Sequence, residues 1–407
     1  MAQAFFGGVH PHDMKAATNE KAIEQLAPPA VVVIPMSMHF GAPCTPLVKA
    51  GDHVKVGQKI GEFHGLGAPI HASVSGTVKA VEPRPYSMGG NITSVVIEND
   101  MQDEVSEEVQ APADPNALSV EEMVEIVKNA GIVGMGGATF PTHVKITSGI
   151  GKVNTVIING AECEPYITGD HRTMLERPEE IIGGAKFLAK MFGVDKVVIG
   201  VEDNKRNGID AMNKVIAEQK APVVVEPLRC RYPQGGEKQL CQAITGRQVP
   251  PGGLPADIGC AVFNINTTCA IYRALTTGMP VVRKIVTVSG SGVVEPKNLE
   301  CPIGTPVSNL LDACGGLKDG TYKLIAGGPM MGMAQYTADI SVAKGTGAIL
   351  AFCENEEKTV ENPQCIRCGK CIRACPTEAI RFRYGFGLNG NTNPKQVSNH
   401  QNQTEES

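Results

Sequence analysis

Between residues 119 and 280 three short apolar runs, VNTVIINGA, VDKVVIGVE and APVVVEPL, alternate with three helical patterns, PEEIIGGAKFLAKMF, RNGIDAMNKVIAEQ and GEKQLCQAITG. Strand–helix alternation at this spacing commits the segment to an α/β domain with a largely parallel sheet, because parallel neighbours need a crossover that a helix supplies. Ser119, followed by Glu121 and Glu122, marks the start of a further helix carrying Met123, Ile126 and Val127 on one face. The chain has 407 residues, room for about two to four domains.

The flanks read differently. Residues 31–98 are short strands with turns between them, and two stretches echo each other, VKAGDHVKVG at 48–57 and IHASVSGTV at 70–78. Such paired halves resemble the barrel-sandwich fold of lipoyl and biotinyl carrier domains. A carrier presents a lysine on the turn before the second half; here that turn is EFHGLGA, so the shape is expected without the prosthetic group. Residues 99–118 are acidic and rich in Pro and Ala and read as a linker. Residues 281–352 return to β-rich patterning with one short helix, a β-grasp-like module. The expected organisation is 1–98 barrel-sandwich domain, 99–118 linker, 119–280 α/β domain, 281–352 β-grasp module, 353–384 iron–sulfur segment and 385–407 disordered tail.

Lysine and arginine total 37 against 42 acidic residues, a net charge of -5 with no tryptophan. That balance argues against electrostatic attachment to nucleic acid or an acidic membrane surface. No apolar run approaches the roughly 18 residues of a membrane span, and the N-terminus lacks signal-peptide character, so a soluble cytosolic chain is expected. Thirteen cysteines without an export signal do not suggest a disulfide framework. Four of them form Cys365-x2-Cys368-x2-Cys371-x3-Cys375-Pro376, the spacing of a bacterial-type iron–sulfur site rather than of the separated knuckles of zinc. In two-cluster ferredoxins the fourth cysteine of such a run serves the other cluster. No cysteine follows Cys375. Either the cluster takes an unusual or borrowed ligand, or the chain is truncated relative to a functional parent; the abrupt change into polar sequence favours the second.

Three polar loops stand out in the α/β segment. Gly131-Ile-Val-Gly134-Met-Gly136-Gly137-Ala-Thr-Phe140-Pro-Thr-His-Val-Lys145 fits a phosphate cradle and an ordinary turn equally well, and is neither a dinucleotide fingerprint nor a P-loop. The run from Val156 through Asn159 to Glu162 and Glu164 carries a buried strand out into an acidic turn, where ligands sit in parallel sheets. Tyr232-Pro-Gln-Gly235-Gly236-Glu237-Lys238 and Phe263-Asn264-Ile-Asn266-Thr267 are further polar fragments at element ends. Cys163, Cys230, Cys260 and Cys269 read as buried small hydrophobes, with Glu162 and Glu164 raising the pKa of Cys163. Met330, Met331 and Met333 read as packing around a glycine turn.

In this order the segments resemble the flavin-bearing subunit of respiratory complex I and, over roughly residues 5–380, the C-subunit of the Rnf complex (RnfC). The complex I loop GRGGAGFPTGxK is matched by GMGGATFPTHVK at 134–145, NADESEP by NGAECEP at 159–165, and tyrosine-x-x-glycine-x-glutamate by Tyr232 to Glu237. The Rnf resemblance adds the opening FGGVHP, the lysine-less sandwich, the β-grasp (SLBB-like) module and the cysteine quartet. It implies an FMN site oxidising NADH and passing electrons to 4Fe-4S clusters, with Gly134, Gly136, Gly137 and Lys145 around the FMN phosphate. Asn159 and Asn264 fall on its ribityl and phosphate side. Phe140, Glu164, Tyr232 and Glu237 line the nicotinamide side, and Glu162 and Gly235 complete the cofactor set. The implied partners are a ferredoxin-like B-subunit and membrane subunits of a sodium- or proton-translocating complex, with this chain peripheral on the cytoplasmic face and no nucleic acid involved. Met135, Thr139 and Ala161 replace an arginine, a glycine and an aspartate of the complex I pattern. Two other expectations stay open, a soluble relative such as a corrinoid reductase or proline-reductase electron donor, and a flavin-binding fragment that passes no electrons.

Overall fold

The computed structural model describes Phe5 and residues 7–353; the cysteine quartet and the tail lie outside the described residues. After an edge strand β1 (Ile23–Gln25), strands β2 (Val31–Pro35), β3 (Thr45–Pro46), β4 (His53–Val54), β5 (Lys59–Glu62), β6 (Ile70–His71), β7 (Gly76–Pro85) and β8 (Asn91–Asn99) follow. They form two antiparallel sheets, ordered β2-β8-β7-β4 and β3-β5-β6. Alternating inward residues such as Val32, Ile34, Ile60, Ile70, Val95 and Ile97 are fully buried between them, the packing a barrel-sandwich needs. The acidic stretch that follows lies along this body. Val56 N–H donates to the Glu104 carbonyl at 2.8 Å, Ser106 N–H donates back to Val56 at 2.9 Å, and Lys55 pairs with Glu104 at 2.8 Å and Glu107 at 2.5 Å.

The central domain runs α1 (Val120–Asn129), α2 (Thr142–Gly149), β9 (Thr155–Gly160), α3 (Gly169–Glu176), α4 (Pro178–Phe192), β10 (Val197–Glu202), α5 (Arg206–Gln219), β11 (Val223–Leu228), α6 (Glu237–Thr245), β12 (Cys260–Asn264) and α7 (Ile265–Thr277). Ser119 caps α1 in a reciprocal box with Glu122, as its spacing predicts. The sheet is wholly parallel, ordered β11-β10-β9-β12. Strand order runs outward from β9 in one direction and β12 lies on its other side, which makes the carboxyl ends of β9 and β12 a topological switch point. Asn159 and Asn264 are register partners there.

The last module comprises β13 (Arg283–Ser289), β14 (Lys297–Pro302), α8 (Val307–Ala313), β15 (Thr321–Ala326), β16 (Met333–Gln335) and β17 (Ala348–Cys353). Its mixed sheet is ordered β1-β14-β13-β17-β15-β16. Strand β1, which the sequence reading groups with the sandwich, joins this sheet in parallel with β14, pairing Ile23 with Asn298 and Gln25 with Glu300. A three-residue strand has too little apolar pattern to reveal its partner.

Lys344 joins all three bodies. Its buried ammonium donates to the carbonyls of Pro69 in the sandwich and Gly131 in the α/β domain, each at 2.7 Å. Burial lowers its pKa to about 7, well under the ~10.4 of an unfolded lysine. The unfolded chain therefore binds the extra proton between those values, and stability rises with pH across that window. Lys344→Met leaves two buried carbonyls unpaired and is expected to cost about 3 kcal/mol in urea unfolding at neutral pH. The same variant is expected to show a shallower rise in stability between about pH 7 and 10.

Candidate functional site

The glycine loop leaves α1 and enters α2 through a pinched neck. Gly134 N–H donates to the Phe140 carbonyl at 3.0 Å, Thr142 N–H donates to Ile132 at 3.0 Å, and Val133 bridges Pro141. Thr267, in the first turn of α7, holds the loop from inside. Its hydroxyl accepts from Met135 N–H at 2.9 Å and donates to the Val133 carbonyl at 3.2 Å. Gly136 rests on Asn264, where a Cβ would meet the amide nitrogen at 2.8 Å; a Cβ on Gly137 would meet nothing within 4 Å. The tip of the loop at Gly136, Gly137 and Ala138 is exposed, a side-chain-free surface beside the start of a 13-residue helix. That arrangement suits a phosphate group, which backbone N–H groups and the helix dipole both favour.

Asn264 caps α7 through its oxygen, which accepts from Asn266 N–H at 2.9 Å and Thr267 N–H at 3.4 Å. Its nitrogen donates to Asp170 at 2.7 Å, and Asn266 donates to the other oxygen of Asp170 at 2.5 Å. Asp170, on α3, is pushed up to about 7, by burial first and then by the charge of Glu162. One strand away, Asn159 donates to the Gly235 carbonyl at 2.8 Å and accepts from Ala161 N–H at 3.2 Å. The structure thus brings the glycine loop, Asn159, Gly235 and Asn264 to one end of the parallel sheet.

Lys145 and Glu237 meet directly. The ammonium lies 2.7 Å from Glu237 Oε1 and 3.0 Å from the Val262 carbonyl. It also sits 5.8 Å from the centre of the Phe263 ring. Sequence reasoning assigns these two side chains to opposite sides of a ligand, whereas here they form one ion pair.

Glu164 is capped by the β-grasp module. Its Oε2 accepts from Met330 N–H at 3.0 Å, and the loop passes so close that a Cβ on Gly328 would lie 2.1 Å from that oxygen. Burial raises Glu164 to about 7, only partly offset by Met330 N–H and Lys15. Its Oε1 is buried without a hydrogen-bond partner, as are both amide atoms of Gln234, which is 0% exposed on the Tyr232–Gly235 turn. Tyr232 hydrogen-bonds Glu164 and is tied through its backbone to Val9 by two bonds of 2.8 Å. Of the three methionines read as packing around a glycine turn, Met330 is buried while Met331 and Met333 are exposed, because the turn faces Glu164 rather than a core.

Glu162 serves the fold. Its carboxylate accepts from Asp170 N–H at 2.6 Å and His171 N–H at 3.2 Å, in the first turn of α3, and burial raises its pKa. Lys15 donates to the carbonyls of Glu162 at 3.0 Å, Glu164 at 2.9 Å and Ile167, and Lys205 donates to Ala161 at 2.7 Å. Cys163 is pushed up to about 12, by burial above all and then by Glu202; the adjacent Glu164 contributes less than sequence adjacency suggests. Sequence reasoning missed Phe40. This sandwich residue is 56% exposed, donates its N–H to the Thr139 carbonyl at 3.0 Å and sets its ring 6.0 Å from that of Phe140. Only the tertiary fold brings a sandwich turn to the glycine loop. Asp170 was equally hidden, since α3 carries no pattern that singles it out.

Four families match the chain: RnfC barrel sandwich hybrid domain over residues 3–102, Nuo51 FMN-binding domain over 127–273, SLBB domain over 285–334 and 4Fe-4S binding domain over 360–381. The chain is similar to the C-subunit of the Na(+)-translocating ferredoxin:NAD(+) oxidoreductase complex of Acetobacterium woodii, at 45% identity covering 91% of this chain and 84% of the relative. Its likeness to the proton-translocating counterpart of Clostridium ljungdahlii is also 45%, over 92% and 82%. The C-subunit of the ion-translocating oxidoreductase complex of Rhodobacter capsulatus is 41% identical over 92% and 73%. Among solved structures, a chain of an NAD+-reducing NiFe hydrogenase in the air-oxidised state overlays with a TM-score of 0.50 at 20% identity, covering 59% of this chain and 47% of that one. That likeness is one of fold.

The loop geometry separates two neighbouring glycines. Gly136→Ala must displace Asn264 from Asp170 and is expected to cost about 1–2 kcal/mol in thermal unfolding. Gly137→Ala is expected to stay within about 0.5 kcal/mol of the parent. Glu164, with its folded pKa raised, makes the folded chain bind the extra proton between about pH 4.3 and 7, so stability falls as pH rises through that window. Glu164→Gln is expected to flatten that fall in urea titrations run at successive pH values.

Proposed function

The chain belongs to the RnfC family of ion-translocating oxidoreductase subunits, and from that premise we propose that it is the electron-entry subunit of such a complex, taking electrons from NADH. It carries an FMN-binding domain and a 4Fe-4S binding motif. The observation that most supports a flavin between β9 and β12 is the register pairing of Asn159 with Asn264 at the switch point of the sheet, directly under the exposed glycine tip. The buried atoms without partners on Glu164 and Gln234 suit a polar ligand entering beside them.

In this reading Gly134, Gly136 and Gly137 offer backbone to the FMN phosphate, while Asn159, Gly235 and Asn264 fix the ribityl side. FMN supplies hydride acceptance from NADH and one-electron delivery onward. The chain's own residues position and insulate. The pair Lys145–Glu237 sets the charge at the lip, and Phe140 with Phe40 presents flat apolar surface to a nucleotide base. Glu164, its acidity weakened by burial, and Tyr232 face the nicotinamide side. Glu162 acts at one remove, holding α3 and with it Asp170. Electrons leave through Cys365, Cys368, Cys371 and Cys375, for which one cluster is proposed. The partners are the other subunits of the complex, a ferredoxin-like B-subunit and membrane subunits among them. Among the described residues no helix is long and apolar enough to cross a membrane, so attachment on the cytoplasmic face would come through those subunits.

The full chain, reconstituted anaerobically, is expected to hold about one FMN and about four irons and to bleach on adding NADH. Asn264→Ala, which removes the cap of α7 and the bond to Asp170, is expected to weaken FMN retention at least about tenfold while iron content stays unchanged. A chain that holds neither flavin nor iron, or that ignores NADH when fully loaded, overturns the reading.

A further inference from the structure

Behind the glycine loop, one flank of α7 faces β13 and β14 across a crevice of about 170 Å³, lined at one end by Met135 and Asn266. Its walls carry three cationic side chains, Arg273, Arg283 and Lys284, against one carboxylate, Glu300. That carboxylate is already committed. Arg177 grips it with two nitrogens and Gln25 donates to it, and although burial alone would raise its pKa, these contacts hold it near 2. Arg273 is likewise paired, its Nε 2.7 Å from Glu180, and Arg283 donates to Gln25 at 2.9 Å. With Arg177 and Arg273 set against Glu300 and Glu180, Arg283 and Lys284 are left with no ion pair among the described residues, so the crevice is net positive.

Lys284 sets the crevice apart. It is 4% exposed, buried like Lys15 at 4% and nearly as far as Lys205 and Lys344 at 1%. Each of those three donates two or three hydrogen bonds. The Lys284 ammonium donates none to any described residue, though the side chain lines the crevice. Asp170 lies near enough to attract it, but both oxygens of Asp170 are taken by Asn264 and Asn266. An ammonium that has given up bulk water without a protein acceptor draws its partners from the crevice it opens onto, and natural structures supply them as a ligand or water. The volume sets the scale of the occupant. At ~30 Å³ per water the crevice holds roughly five waters, enough for one tetrahedral oxyanion with residual solvent and far short of the ~300 Å³ or more of a nucleotide-sized pocket.

We propose that this crevice is a binding site for a phosphate group, held by Lys284 and Arg283 with Arg273 beside them on α7. The group can be a free oxyanion or the terminal phosphate of a larger ligand reaching past Met135. The site stands on the crevice and its charges and does not rest on the flavin reading.

Equilibrium dialysis of radiolabelled orthophosphate against the full chain, with and without saturating FMN and at constant ionic strength, tests it. Saturable binding to both forms identifies a free oxyanion. Binding that FMN abolishes and riboflavin does not places the ion in the flavin's own phosphate site and overturns the proposal. Lys284→Met is expected to weaken phosphate at least about tenfold and Lys284→Arg to stay within about threefold. Arg283→Gln, on the more open side of the same wall, serves should Lys284→Met not fold, and is expected to weaken phosphate about threefold or more. No saturable binding to the parent chain, or binding unchanged in a folded Lys284→Met chain, overturns the proposal.

Discussion

Lysine ammonium groups buried against backbone carbonyls hold this molecule together. Burying a cation is costly unless hydrogen bonds replace its water. Three lysines meet that condition largely without carboxylates. Lys344 spans Pro69 and Gly131, Lys15 gathers three carbonyls of the turn after β9, and Lys205 anchors Ala161 just before it. Carbonyls fix position more tightly than a flexible carboxylate would, because each is part of a chain already held by its own secondary structure. The turn bearing Glu162, Cys163 and Glu164 thus takes its shape from cations beneath it, one of them supplied from residue 15.

That arrangement explains the division of labour among the acidic residues. Glu162, Glu164 and Asp170 lie in one buried region, and all three have raised pKa values because burial outweighs their donors. Glu162 and Asp170 spend both oxygens on protein groups, while Glu164 keeps one oxygen buried and unpaired. The carboxylate with spare capacity is the one the β-grasp loop covers. A ligand that reaches Glu164 must therefore contend with two domains at once.

Much of this was legible in sequence. The alternating apolar and amphipathic runs at 153–246 place β9, β10, β11, α4, α5 and α6 with little error, because each has strong periodicity and clear end signals. The Ser119 cap and the glycine loop are local chemistry and were equally readable. What could not be read depends on tertiary contact. The helix α7 begins inside what looks like a polar loop fragment, since Asn264 to Thr267 are capping residues before they are a helix. Phe40, Asp170 and the buried lysines carry no local pattern, and the pairing of Lys145 with Glu237 joins elements 92 residues apart. Motif order points to the site, whereas its hydrogen-bonding pattern belongs to the fold.

The edge strand β1 carries a consequence for how the chain acquires this structure. Ile23–Gln25 pairs as a strand with β14 alone among the described strands, and the residues of β14 follow roughly 270 positions later. At translation speeds of ~5–20 residues per second, the strand waits on the order of tens of seconds for its partner to leave the ribosome. The sandwich and the parallel sheet between them can form in that interval. The β-grasp sheet cannot complete that edge until the chain's own beginning returns to it, so the β1–β14 pairing closes a loop around the two earlier domains only after both have been made.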